Sequence, residues 1–146
     1  MEYRRIVDKD NYQFLSKCVW DDSKPMIAYI GLNPTNASET GKHSRTSRRM
    51  KQFAVDQGYG GFYGLNVYPF RHKYPKELLR MNIPAVKTER NNYFINKMKE
   101  TDIMIVAIWG NDGPILKDDF YHIGPLSKKG KPKHPLYLSK NLKFIK

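Results

Sequence analysis

The sequence predicts a three-layer α/β domain built on a parallel sheet. Short apolar runs rich in β-branched and aromatic residues alternate along the chain with segments of helical periodicity. Two of those runs are almost continuously apolar, as strands covered on both faces require. A chain of 146 residues is expected to form one domain, residues 1–146, with core enough to fold without a disulfide or metal.

Taken in order, Tyr12, Phe14, Val19 and Trp20 are expected in an N-terminal element lying on the core. The run from Pro25 to Ile30, ended by Gly31, is the first strand. From Thr46 to Gln57 the spacing puts Met50, Phe53 and Ala54 on one side of a helix, with Arg48, Arg49, Lys51 and Asp56 around the rest. Gly58 stands where a helix stop belongs. The second strand runs from Gly61 to Tyr68 and is ended by Pro69, and Glu89 to Lys99 repeats the helical pattern with Tyr93, Phe94, Ile95 and Met98. Asp102 to Trp109, ended by Gly110, is the third strand, and Phe120 to Ile123 is a weaker fourth. The crossovers should be right-handed.

Composition excludes several classes. Mean hydropathy is −0.69, and no apolar stretch approaches bilayer-spanning length. The single cysteine, Cys18, cannot form an internal disulfide or a cysteine metal cage; separately, no metal or cofactor is expected. The opening residues lack the apolar run of a signal peptide, and a reducing cytoplasmic location is expected. The net charge of +12 is unevenly placed. Residues 41–90 carry +8 and residues 126–146 carry +7, while the rest is slightly acidic. A fold that brings those two blocks together presents a basic face, which attracts phosphates.

In open parallel sheets, ligands bind beyond the carboxyl ends of the strands. The residues found there are Gly31, Leu32, Asn33 and Pro34, then Asn66 and Tyr68, then Trp109 and Gly110. Past the fourth run comes a basic stretch with Lys128, Lys129, Lys131, Lys133 and His134. An amide at a strand end offers a donor and an acceptor together, which reads the edge of a base. Aromatic rings stack on bases, and cations such as Arg45, Arg48 and Arg71 hold phosphates. Asn33 and Asn66 can equally serve in turns or caps, and His134 can be a loop residue bonded to backbone. No Walker-type phosphate loop is present.

Several segments together resemble domain-of-unknown-function family 1643: Gly31 to Thr35, Thr46 to Arg49, Gly58 to Gly61, Leu65 to Val67, Trp109-Gly110, and Lys129 to Leu138. The resemblance runs from about residue 26 to the end, and the chain looks like versions carried on staphylococcal cassette chromosome mobile elements. More remotely, the order of motifs is similar to the uracil-DNA glycosylase superfamily. That likeness implies a four-stranded parallel sheet between helices. It also implies that Asn33 positions a water, that Asn66 reads the base, and that His134 stabilises the leaving base. Leu136 to Leu138 would probe DNA. Three features depart from that pattern. Asn33 stands where the most active glycosylases have Asp, and an amide cannot act as a general base. Residues 35–45 contain no Phe, Tyr or Trp, so stacking falls to His43, Tyr68 or a ring elsewhere. The cluster-binding cysteines of some branches are missing.

The expectation is therefore a catalytically degenerate glycosylase-like module with a nucleobase-type pocket. Its partners would be a nucleobase, a nucleotide or a nucleic acid, or a protein encoded on the same mobile element, and not a membrane. The alternative is an active glycosylase that flips uracil or a modified base out of the stack and cleaves its N-glycosidic bond.

Overall fold

Among the described residues ten elements follow one another: β1 (Glu2–Val7), β2 (Gln13–Val19), β3 (Met26–Gly31), α1 (Arg45–Asp56), β4 (Gly61–Asn66), α2 (Ala85–Lys99), β5 (Ile105–Ala107), β6 (Tyr121–Ile123), a 3-10 turn (Pro135–Tyr137) and β7 (Phe144–Ile145). They come from a computed structural model that describes residues 2–34, 44–72, 74, 77 and 80–146.

The strands form one seven-stranded mixed sheet in the order β1-β2-β4-β3-β5-β6-β7. This corrects the expected three-layer arrangement around a four-stranded parallel sheet. Parallel pairing is confined to β4 with β3, β3 with β5, and β5 with β6. Strands β1, β2 and β7 add antiparallel pairs at the two sides, and α1 and α2 are the α-helices with described bounds. The physical reason lies at the N-terminus. Residues 13–19 alternate in burial with a period near two, so the expected element lying on the core is instead a strand in the sheet. A turn at Asp8 to Asn11, with Asn11 in the left-handed region at φ 64°, folds β1 back on it. Lys87 of α2 holds that turn through Asp8 at 2.6 Å and Asp10 at 2.9 Å.

Alternation divides the core in two. Ile27 and Tyr29 of β3 meet Phe62, Val106 and Ile108 on one face, under Phe53 and Ala54 of α1. Ala28 and Ile30 meet Leu65, Ile105, Ala107 and Trp109 on the other, with Met98 of α2. The buried Tyr29 hydroxyl donates to the Met50 carbonyl of α1 at 2.7 Å, which pairs a polar group that could not otherwise be buried cheaply. Burial also pushes the Tyr29 phenol well above its ordinary pKa. The stop of α1 follows from its sequence. Gly58 takes φ 93°, its N–H reaches Val55 and the Tyr59 N–H reaches Ala54, which closes the helix in a Schellman turn. The third strand is shorter than its apolar run suggests: of residues 102–109, Ile105 to Ala107 form β5, with the Met104 carbonyl and the Ile108 N–H bonded to β3 at its two ends.

Candidate functional site

The carboxyl ends of β3, β4 and β5 open onto a cleft of about 380 Å³. This size suits a small organic ligand. Of the residues expected there, Gly31, Leu32, Asn33, Pro34, Asn66, Trp109 and His134 all line it, together with Gly110. His43 lies outside the described residues. Tyr68 does not line the cleft; its backbone N–H donates to the Leu32 carbonyl at 2.9 Å and holds the two strand-end loops together.

Asn66 closes β4 directly beside Gly31, its register partner on β3. A side chain at position 31 would place its Cβ 3.1 Å from the Asn66 Oδ1, so glycine there leaves room for the amide. Behind it, Asn91 of α2 donates its amide to the Asn66 carbonyl at 2.8 Å and to the Val67 carbonyl at 3.3 Å, fixing the strand end. The Asn66 side chain is 9% exposed and has no hydrogen-bond partner among the described residues. Its amide atoms are not among those sealed from solvent, so the amide opens onto the cleft, where water or a ligand can pair with it.

Asn33 behaves differently. Its amide N–H group donates to the His72 carbonyl at 2.9 Å and lies 3.4 Å from the Phe70 carbonyl. This ties the first strand-end turn to the loop after β4, leaving only the Asn33 Oδ1 for other work. Trp109 is a buried wall rather than a free ring, with its indole N–H on the Pro114 carbonyl at 2.7 Å.

His134 begins the 3-10 turn. Its Nδ1 accepts the Leu136 N–H at 3.2 Å, so the neutral ring carries its proton on Nε2. Burial pushes its pKa below the ordinary value of 6.5, which favours that neutral form. The site thus holds a neutral N–H donor at His134 and a donor–acceptor amide at Asn66. A carboxylate, Asp112, also lines the cleft.

The cations flank this opening without entering it. Arg45 and Arg48 are exposed in the first turn of α1, beside the cleft-lining Ser44, Thr46 and Ser47. Lys128 and Lys129 are exposed in a loop tied to the cleft wall by the Gly110 N–H on the Pro132 carbonyl at 3.0 Å. The Lys131 ammonium donates to the Asn111 carbonyl at 2.7 Å. Lys133 and Arg71 are half-buried.

Three contributors escaped the sequence reading. Arg49 of α1 reaches the Pro135 carbonyl at 3.4 Å, the Leu138 carbonyl, and the Gln52 side chain at 2.7 Å, holding the His134 segment against the helix. Gln13 and Ser16 of β2 line the inner cleft. The signal that could have exposed them is the position of polar residues within an alternating strand.

Among the described residues no helix is long and apolar enough to cross a membrane. None of their His, Cys, Asp and Glu side chains form a group of three or more able to hold a metal ion. Neither a curated protein nor a solved structure matches the chain. One family model does, described as "Protein of unknown function (DUF1643)", and it covers residues 14–136. That span is most of the chain, so this protein belongs to the DUF1643 family.

Proposed function

We propose that the cleft is a nucleobase-binding site of uracil-DNA-glycosylase-like type that holds its ligand without excising uracil. The base would be free, part of a nucleotide or part of a nucleic acid, within the DNA metabolism of a mobile element. The observation that carries this reading is Asn66: a largely buried residue whose amide opens onto the cleft with no protein partner among the described residues, fixed from behind by Asn91. A planar ligand with adjacent donor and acceptor groups satisfies such an amide. His134 supplies a second, neutral donor, and the flanking cations suit a phosphate.

Excision is disfavoured by Asn33. Its amide takes no proton from water, and its N–H group is occupied by the His72 carbonyl. One observation favours the second reading, an active glycosylase: Asp112 places a carboxylate on the cleft wall. Incubation with uracil-containing single- and double-stranded oligonucleotides separates the two. Base binding that is lost in Asn66→Ala, with no base release, is the expected result. Release that disappears in Asp112→Asn or His134→Ala would establish the enzyme.

A further inference from the structure

The inner end of the cleft contains a second amide. Gln13 opens β2, is 3% exposed, and lines the same cleft as Asn66. Its Oε1 is sealed from solvent and accepts no hydrogen bond.

The backbone shows why that side chain faces the cleft. The β1–β2 register runs Ile6↔Leu15 and then Val7↔Gln13, so β2 carries one extra residue, Phe14, in a bulge. In a regular strand Phe14 and Leu15 would point to opposite faces. Here both lie on the α2 side: Phe14 stacks on Phe94 at 6.0 Å, and Leu15 packs on the same cluster. The bulge therefore turns Gln13 onto the face of Ser16 and Cys18, and those three residues line the cleft while Phe14, Leu15 and Lys17 do not. On that face Ser16 stands opposite Gly64, two residues before Asn66. A side chain at position 64 would bring its Cβ within 2.3 Å of the Ser16 Oγ, so glycine keeps this part of the cleft open. The start of β2 thus runs alongside Asn66, and the Gln13 N–H is held by the Pro69 carbonyl at 2.9 Å in the loop beyond it.

Resting on the reading of the cleft as a base site, we infer that Gln13 is a specificity-determining residue that accepts a hydrogen bond from a base bearing an exocyclic amino group. Asn66 reads one edge of the ligand. In its orientation here the Gln13 amide has an unpaired Oε1, an acceptor, so it selects for a donor where the two kinds of base differ. An oxo group at that place would face a second acceptor unless the Gln13 amide turned over to present its Nε2. A pocket built to bond a donor rejects the analogue lacking it, because its own polar group is left unpaired.

The test compares cytosine with uracil, and adenine with hypoxanthine, each titrated into the full chain by calorimetry or ligand-observed NMR. In each pair the amino-bearing base should bind about tenfold tighter. In Gln13→Leu that ratio should fall towards one. The free variant should melt no lower than the native chain, because it removes an unpaired buried carbonyl. Should Gln13→Leu fail to fold, Gln13→Met, unbranched and of similar length, is read by the same ratio. An unchanged ratio in the folded variant, or tighter binding of the oxo base by the native chain, overturns the role of Gln13 and leaves base binding at Asn66 standing. Absence of binding for all four bases removes the base-site reading and this inference with it.

Discussion

Replacing Arg49 with Met removes the guanidinium that joins α1 to the segment carrying His134, while keeping an unbranched apolar stem. The bond to the Leu138 carbonyl is charge-assisted and half-buried, and such a bond contributes about 1.5 kcal/mol at the lower end of its range. The Pro135 contact at 3.4 Å is long and adds little. The guanidinium also lies 5.1 Å from the centre of the Phe53 ring, worth roughly 0.5–1 kcal/mol. The bond to Gln52, one turn away on the same helix, adds about 0.3 kcal/mol. Together these give about 2–3 kcal/mol, and a chain of this size loses roughly 3–4 °C in Tm per kcal/mol. Thermal unfolding followed by circular dichroism should therefore show Arg49→Met melting about 6–12 °C lower. Arg49→Lys should fall between the two, because an ammonium cannot fork to three acceptors. Base affinity should drop with the displacement of His134. A Tm for Arg49→Met within about 1 °C of native would refute the assignment of Arg49 as the tie, as would Arg49→Lys equal to native.

Three further predictions follow from the same geometry. His134 is neutral by burial, with a pKa below 6.5. The unfolded chain then takes the proton first, so stability is full above pH 6.5 and is lost as pH falls towards the folded pKa. His134→Asn keeps a cap acceptor but cannot titrate, so the Tm difference between native and variant should shift against native from pH 7.5 to pH 5.5; a constant difference contradicts it. If a nucleic acid is bound, oligonucleotide affinity should fall steeply with salt, and each of Lys128→Gln, Lys129→Gln and Arg45→Gln should lower the salt slope by about 1. A salt-independent affinity would point away from phosphate contacts. Gly64→Ala should destabilise by about 1–2 kcal/mol through its contact with the Ser16 Oγ. The double variant Ser16→Ala/Gly64→Ala should recover that loss, and simple additivity in denaturant titrations would contradict the contact.

The parts of the fold legible in the sequence are those where one local signal dominates. The apolar run before Gly31 and the Gly58 stop of α1 are such places, and the structure has β3 at Met26–Gly31 and α1 at Arg45–Asp56. The N-terminal strands were not legible, because Arg4 and Arg5 in β1 and the bulge at Phe14 break the clean alternation that marks a strand. The same bulge hid Gln13, whose orientation depends on pairing with β1 rather than on its own neighbours in sequence. At the site, residue type located the rim but not each residue's engagement. Asn33 and Asn66 look alike in sequence, yet one side chain ties two loops together and the other has no partner among the described residues. That difference comes from where the chain returns, with His72 brought against Asn33 and Asn91 reaching only the backbone of residue 66. Arg49 was similarly silent, because its carbonyl partners lie more than eighty residues away.

The central claim is that Asn66 reads a base, and its side-chain amide signals in a ¹⁵N–¹H correlation spectrum report on this most directly. Titration of the full chain with cytosine or adenine should shift the Asn66 amide pair saturably, with signals of Gly31 and the His134 Nε2–H moving along the same isotherm. The signals of exposed Tyr93 on α2 should stay still. Shifts confined to surface residues, or an Asn66 amide that does not respond while the base binds elsewhere, would contradict the account.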